Sequence, residues 1–217
     1  MMTSVTERQI ITIDGPAASG KSSVARGVAD ALELPFVSSG LLYRAATYLA
    51  LRENINPGDE EAVLELLKKH DIELIAIPIE PNRVSCDDQD ISAALHTDDV
   101  DANVSALAVL PGLRHWINDR LREVKGSFVV EGRDMGAVVF PEASHKFYLT
   151  ASAAVRAQRR VSEREADLAS IEAALKNRDE KDKKQLAPAS DAKQICTDKL
   201  SLDEVIQALL REIKVTA

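Results

Sequence analysis

The chain has 217 residues, of which 45% are hydrophobic and 29% are charged. This composition predicts one compact domain, or a domain with an inserted lobe, and it is too hydrophobic for a disordered chain. The net charge of −8 at pH 7 argues against a large basic surface for duplex nucleic acid, so we expect no nucleic-acid partner.

The chain shows no sign of secretion or of a membrane anchor. No hydrophobic run approaches the roughly 20 residues that a membrane span needs, and residues 1–8 are polar. Cys86 and Cys196 are far apart in the sequence, which argues against a disulfide framework and a multi-thiolate metal site. We therefore expect a cytoplasmic protein without membrane contact, and its size and acidic composition predict a monomer.

The first seventy residues predict alternating strands and helices. Residues 9–13 form a β-branched hydrophobic run that ends at Asp14, which is typical of a buried strand. Helical spacing of hydrophobic residues and a short apolar run predict further elements. These are a strand over 35–37 and helices over 21–33, 41–52 and 59–70.

The pattern changes in the next segment. Residues 72–79 alternate, residues 83–86 and 89–91 are again extended, and a turn lies between the first two runs. We expect a small antiparallel region here. Thr97 predicts the start of a helix to about Leu110, and Pro111 the first turn of another, to about Val124.

The last third of the chain returns to alternating strands and helices. Two helices are predicted after Ser152 and over 167–179, and a capping box at 201–204 opens an amphipathic helix. Strands are predicted over 128–130, 145–149 and 194–196, and loops over 131–136 and 181–190. Strands that alternate with helices indicate an α/β fold, with a parallel sheet covered by helices on both faces.

A phosphate-binding loop follows the first predicted strand. The stretch from Gly15 to Ser22 matches G-x-x-x-x-G-K-[ST] at every fixed position, between a strand and a helix. Glycines let successive amides surround an anion at the helix amino terminus, Lys21 can reach the terminal phosphates, and Ser22 offers its hydroxyl to Mg²⁺. The expected nucleotide-binding residues are Gly15, Pro16, Ala17, Ala18, Ser19, Gly20, Lys21, Ser22 and Ser23.

This loop alone does not distinguish a kinase from a GTPase or an ATPase motor. A GTPase needs a guanine-reading N-K-x-D sequence, and the chain contains no Asn-Lys pair. A motor is usually longer and carries a clear acid at the end of a buried strand, whereas here Glu131 is followed by Gly-Arg-Asp. A small kinase is the remaining interpretation, with arginines covering the transferred group.

Three segments resemble the bacterial cytidylate kinase (CMP kinase) family: 11–16, 38–44 and 131–136, the last followed by 138–141. Their order and spacing match as well, and the resemblance covers essentially the whole chain. It implies ATP- and Mg²⁺-dependent phosphorylation of CMP and dCMP on a P-loop nucleoside-monophosphate-kinase fold. That fold has a parallel core, an inserted CMP-binding region at about 57–110 and a lid at about 156–190.

The resemblance also assigns the acceptor site. Arg44 and Arg133 match phosphate-contacting arginines, whose guanidinium groups suit a dianionic monophosphate, and the Ser39 hydroxyl would assist. Cytosine offers an amine donor beside a ring acceptor, the reverse of uracil. The base-reading residues implied by the family are Asp134, Arg114 and Ser105. A role for Asp134 as general base is left open, because phosphoryl transfer needs alignment more than proton removal.

The lid carries the remaining predicted contacts. Arg156, Arg159 and Arg160 share one helix face, where they either cover the transferring phosphoryl or pair with Glu163 and Glu165. By resemblance, Arg178 contacts phosphate and Asp182 the sugar. The chain departs from the family where many members carry another arginine and this sequence reads Lys183-Lys184-Gln185, so that contact is either replaced by a lysine or missing.

The expected catalytic residues are Lys21, Arg133, Asp134, Arg156, Arg160 and Arg178. ATP and Mg²⁺ are the expected cofactors, Ser22 the expected metal ligand, and CMP and dCMP the expected small-molecule partners. Two alternatives stay open at this point. One is another small P-loop kinase that acts on UMP, AMP or shikimate, and the other is a nucleotide-binding regulator without turnover.

Overall fold

The computed structural model describes residues 8–161, 167–183 and 185–215. Its strands are β1 Ile10–Asp14, β2 Phe36–Ser38, β3 Ile72–Ile75, β4 Arg83–Cys86, β5 Gln89–Asp90, β6 Phe128–Gly132, β7 His145–Thr150 and β8 Lys193–Cys196. Its helices are α1 Lys21–Leu32, α2 Gly40–Arg52, α3 Glu60–Leu67, α4 Asp98–Leu107, α5 Pro111–Arg122, α6 Ala153–Val161, α7 Leu168–Lys181 and α8 Leu202–Val215. The chain divides into two compact units, residues 1–35 with 125–217 and residues 36–124.

The first unit is built on parallel strands. Within this unit the strands follow the order β6-β1-β7-β8, and all four pair in parallel. Asp14, the last residue of β1, is in register with Gly132 of β6 and Tyr148 of β7. The carboxyl ends of these strands therefore meet at one edge. The predicted α/β fold with a parallel sheet flanked by helices is confirmed.

Hydrophobic burial explains why these strands lie at the centre of the unit. All five residues of β1 and all five of β6 are buried. The ring of Phe128 packs edge-to-face against Phe140, with centroids 5.4 Å apart. On α1, a side chain at Gly27 would place its Cβ 2.3 Å from Cδ1 of Ile206 in α8, so the absence of a side chain lets the two helices approach closely.

Most predicted helix starts in this unit are confirmed by their caps. Ser152 accepts a hydrogen bond from the Val155 amide before α6. Ser201 and Glu204 form the predicted capping box, in which each side chain accepts from the other residue's backbone amide. Helix α7 continues to Lys181, two residues past the predicted end, so Lys181 belongs to a helix and not to the predicted 181–190 loop.

The loop predicted over 131–136 is wrong at both ends. Glu131 and Gly132 belong to β6, because they pair with Ile13 and Asp14 of β1 in the parallel ladder. After Asp134 the chain forms a π-helical turn over Met135–Val139, in which the Asp134 carbonyl accepts from Val138 and Val139. The irregular part is therefore short and rests directly on the end of the sheet.

The second unit combines helices α2–α5 with a three-stranded sheet of order β3-β4-β5. Both strand pairs are antiparallel, which confirms the predicted antiparallel region. Strand β3 ends at Ile75 and not at Ile79, and α3 ends at Leu67 and not at His70. A short 3₁₀ helix over Ser92–His96 was not predicted.

The helix junctions of the second unit follow their capping residues. Thr97 caps α4 by accepting a hydrogen bond from the Val100 amide, as predicted. Helix α4 ends at Leu107, earlier than predicted, because the Leu110 amide bonds to the Leu107 carbonyl in a tight turn. Pro111 then occupies the first turn of α5. Within the described residues, no helix combines the length and hydrophobicity that crossing a membrane requires.

Candidate active site

The phosphate-binding loop connects β1 to α1 at the carboxyl edge of the sheet. Its backbone is left-handed at Ala18, with φ of 59°, and at Gly20, with φ of 88°. A Cβ on Gly15 would lie 2.4 Å from the Leu149 carbonyl oxygen of β7, so only glycine fits this close approach. Lys21 and Ser22 then open α1, which directs the amino terminus of that helix toward the loop.

The interior of the loop fits an anion. Ser19 is buried, and among the described residues its hydroxyl oxygen has no hydrogen-bond partner. Buried polar atoms normally have a partner, so a phosphate oxygen would satisfy this one. Ser22 is exposed in the first turn of α1, where its hydroxyl is accessible to a hydrated cation. The residues present therefore fit a triphosphate with Mg²⁺.

Lys21 is paired with an acid at the end of the neighbouring strand. Its Nζ lies 3.5 Å from Oε2 of Glu131, and both side chains are largely buried. Burial lowers the pKa of Lys21, while the charge of Glu131 opposes that shift. The ion pair keeps a cation at the loop that a phosphate group could then attract.

Arg133 joins the phosphate-binding loop to the end of α7. Its Nη1 donates to the Gly15 carbonyl at 3.1 Å, and its Nη2 lies 3.0 Å from Oδ2 of Asp182. The same Asp182 oxygen is 3.8 Å from Nε of Arg178. Three of the predicted site residues are thus brought together beside the loop, with one carboxylate between two guanidinium groups.

Asp134 is buried beside a second acid that the sequence analysis did not single out. That residue is Asp14, whose carboxylate accepts hydrogen bonds from the amides of Met135 and Gly136. The charge of Asp134 contributes to raising the pKa of Asp14, after the larger effect of burial. Asp134 therefore lies close to the start of the phosphate-binding loop.

The arginines of α6 differ in their surroundings. Arg156 is 4% exposed and donates to the Ala17 carbonyl at 3.1 Å, while two of its nitrogens contact the Asp179 carboxylate. Arg159 donates to the Ser19 carbonyl at 3.3 Å and to both oxygens of Thr197. Arg160 is half-buried. Arg156 and Arg159 therefore each donate a hydrogen bond to a backbone carbonyl of the phosphate-binding loop.

The acids proposed to pair with these arginines, Glu163 and Glu165, lie outside the described residues. So does Lys184, in the segment that departs from the family pattern. Lys183 is exposed, with its ammonium 3.7 Å from Glu180 on the preceding turn. Gln185 is half-buried and follows the turn that ends α7.

The second unit holds the other predicted acceptor residues. Arg44 on α2 donates to the Leu95 carbonyl at 2.8 Å and forms an ion pair with Asp101 of α4. Ser39 is buried at the start of α2. The guanidinium of Arg44 is thus held between the 3₁₀ helix and α4 in a defined orientation.

Arg114 lies on α5 against the same helix α2. Its guanidinium carbon is 5.9 Å from the ring centroid of Tyr43, and its Nη1 donates to the Ala108 carbonyl at 3.3 Å. Ser105 is half-buried on α4, one helical turn after Asp101. Arg114 therefore packs on the amino-terminal part of α2, the helix to which Tyr43 and Arg44 belong.

Sequence reasoning missed three acids: Asp101 and Asp179, which pair with Arg44 and Arg156, and Asp14, which accepts from two backbone amides. Asp14 lies within a segment that carries the family resemblance, and an acid at the end of a buried hydrophobic strand is a usable signal. Asp101 and Asp179 lie on helices among other charged residues, where no local pattern distinguishes them.

Comparison with known proteins finds relatives that match nearly the whole chain. A family model described as cytidylate kinase matches residues 11–215. A cytidylate kinase of Thermus thermophilus is 56% identical over 207 residues, which cover 95% of this chain and 99% of that protein. A cytidylate kinase of Deinococcus radiodurans is 52% identical over 204 residues, covering 94% and 98% respectively.

A solved structure supports the fold alone. The crystal structure of an uncharacterized protein from Eubacterium ventriosum has a TM-score of 0.54 at 14% identity, and the match covers 95% of this chain and 99% of that one. The sequence relatives, in contrast, span nearly the full length of both proteins at high identity. With the family model matching almost the whole chain, this protein belongs to the cytidylate kinase family.

Proposed function

We propose that this protein transfers the γ-phosphoryl group of ATP to CMP and dCMP, forming CDP and dCDP. Membership of the cytidylate kinase family supports this function. The observation that carries it is the hydrogen bond from Arg133 to the Gly15 carbonyl, which joins an arginine proposed to contact phosphate to the phosphate-binding loop within one unit. A loop for the donor and a cation for the transferred group are thus adjacent.

On the donor side, the amides from Gly15 to Ser23 would surround the ATP phosphates. Lys21 would exchange its contact with Glu131 for the terminal phosphates, since both partners are anionic and phosphate carries the larger charge. Ser22 would hold Mg²⁺, which neutralises charge on the phosphates when bound.

On the acceptor side, Arg44 and Ser39 would hold the monophosphate together with Arg133. Asp134 would accept from the cytosine amine, while Arg114 and Ser105 would donate to the ring acceptors. Asp182 would contact the sugar. The region 57–110 supplies part of this acceptor site in the proposal.

The transfer itself needs alignment and charge neutralisation. A phosphate oxygen of CMP attacks the γ-phosphorus in line, its bond forms as the bond to the β-phosphate oxygen breaks, and ADP leaves. The acceptor is already anionic, so no base is required in the proposal. Arg133, Arg156, Arg160 and Arg178 would spread the developing charge, and a lid at 156–190 would exclude water.

A panel of acceptors tests the proposal. ADP release from ATP is measured with CMP, dCMP, UMP, AMP, shikimate and no acceptor, each with and without Mg²⁺. We expect CMP and dCMP to give the largest kcat/KM and omission of Mg²⁺ to abolish release.

Two outcomes would contradict the proposal. Preference for UMP, AMP or shikimate would identify a different small kinase, and ATP binding without acceptor-dependent ADP release would identify a nucleotide-binding regulator.

A cytoplasmic location and a monomeric state, expected from composition and charge, stay predictions. Size-exclusion chromatography with light scattering tests the latter.

A further inference from the structure

A single buried carboxylate joins the phosphate-binding loop to the segment that carries Arg133 and Asp134. Asp14 is 5% exposed. Its Oδ1 accepts a hydrogen bond from the Met135 amide at 2.9 Å, and its Oδ2 accepts one from the Gly136 amide at 2.8 Å. In the opposite direction, Arg133 donates to the carbonyl of Gly15 at 3.1 Å. Three hydrogen bonds thus connect two consecutive residues to residues 133–136, here called the 133–136 loop.

We propose that Asp14 is a positioning residue, whose carboxylate holds the 133–136 loop in the arrangement that phosphoryl transfer requires. The inference rests on the proposed function, because that function places Arg133 and Asp134 on the acceptor. Asp14 does not itself contact a reacting atom in this proposal. It acts through the two amides that follow Asp134.

The chemistry of a carboxylate explains why an acid is needed at this position. An ionised carboxylate presents two acceptor oxygens, one for each amide. A protonated carboxyl or an asparagine amide keeps one good acceptor and turns a donor toward the second N–H. The loop would then lose one hydrogen bond and be repelled at that amide. A displacement of about 1 Å at a reacting group can slow an enzyme by about 100-fold.

The surroundings of Asp14 make its protonation state variable near neutral pH. Burial raises the pKa of Asp14 to about 6, against the opposing effect of the two amide donors. The acids that face it are Asp134, from the 133–136 loop, and Glu131, from β6, and both raise its pKa further. Tyr148 faces it from β7, and the Arg133 guanidinium lies at the adjacent Gly15. The ionised, loop-holding form therefore predominates only above about pH 6.

The test compares Asp14→Asn with the wild type in kcat, at saturating ATP and CMP, from about pH 5 to about pH 8. The CMP phosphate itself titrates near pH 6, so the informative quantity is the ratio of the two rates, in which the substrate cancels. We expect the variant to be about 10-fold slower near pH 8 and only about 2-fold slower near pH 5, where most of the wild type is protonated as well.

A merely structural role predicts a different result. A ratio that stays constant over this pH range, or a variant as fast as the wild type near pH 8, would overturn the proposal. Asp30→Asn, on the exposed surface of α1, is the matched control. The ratio of its kcat to that of the wild type should stay at one over the whole pH range. If the wild-type protein shows no CMP-dependent turnover, the proposed function is refuted. The role of Asp14 in holding the 133–136 loop is then decided by the NMR measurement below.

A second measurement needs no variant and covers the case in which Asp14→Asn does not fold. The amide protons of Met135 and Gly136 in the wild type are followed by NMR across the same pH range. Because each donates to an oxygen of Asp14, we expect their chemical shifts to titrate together with a midpoint at about pH 6. Flat curves for both amides in a titration continued to about pH 3, where even an ordinary aspartate is mostly protonated, would overturn the proposal.

Discussion

The ammonium of Lys21 lies 3.5 Å from the carboxylate of Glu131, which joins the start of α1 to the end of β6. Two residues further along the chain, Arg133 reaches back to the carbonyl of Gly15. The parallel pairing of β1 with β6 causes both contacts, because it places the carboxyl ends of the two strands side by side. The loop that would hold the donor thereby contacts an arginine and an acid from a distant part of the chain.

Replacing Lys21 removes the cation that would reach the terminal phosphates. We expect Lys21→Ala to lower kcat for CMP-dependent ADP formation by about 100- to 1000-fold, the usual effect of losing one preorganised charge contact. Lys125→Ala, at an exposed lysine, is the matched control and should leave the rate unchanged. A near-wild-type rate for Lys21→Ala would contradict the proposed phosphate cradle.

Asp134→Asn tests base recognition. The substitution replaces an acceptor that would face the cytosine amine with a group that can also donate, so we expect CMP to lose about 10-fold more kcat/KM than UMP. The measurement is kcat/KM for both acceptors with the same enzyme preparation. Equal losses for the two would assign Asp134 a general electrostatic or structural role instead.

Arg156 and Arg160, which the proposal both places near the transferred group, should differ in their effect on stability. Arg156 is buried against Asp179 and the Ala17 carbonyl, so Arg156→Met leaves a carboxylate unpaired. We expect it to lower the free energy of unfolding by about 3 kcal/mol, and Asp179→Asn in the same chain to restore part of that loss. Urea denaturation provides the measurement.

The half-buried Arg160 is the comparison. We expect Arg160→Met to change the free energy of unfolding by no more than about 0.5 kcal/mol and to lower kcat by at least about 10-fold. A large loss of stability in Arg160→Met, or no loss in Arg156→Met, would contradict these two predictions.

The raised pKa of Asp14 makes stability depend on pH. Because its folded-state pKa, about 6, exceeds the ordinary aspartate value of 3.8, the folded protein binds the proton more tightly than the unfolded chain between these two pH values. That contribution is fully present at low pH and is lost as the pH rises through about 6.

Between about pH 5 and about pH 8 we therefore expect the wild type to lose about 1 kcal/mol more unfolding free energy than Asp14→Asn. Urea denaturation of both proteins at the two pH values measures the difference. Equal pH dependence in the two proteins would show that Asp14 has an ordinary pKa in the folded state.

The amino-acid sequence determined the phosphate-binding loop, the order of strands and helices, and most helix starts. These features depend on short stretches of sequence: the Gly-Lys-Ser spacing at the start of α1, Thr97 before α4 and the capping box at Ser201. The predicted ends of strands and helices were less accurate. Glu131 and Gly132 carry no local strand signal, and they join β6 because β1 lies beside them.

The partners of the arginines in the candidate site were decided by tertiary structure alone. Arg133 bonds to a carbonyl 118 residues away, and Arg156 to one 139 residues away. The sequence shows that these cations exist and which of them share a helix face, but not which acid or carbonyl each one meets. Such pairings depend on the register of parallel strands and the packing of α6 on α7, which form only when distant segments of the chain come together.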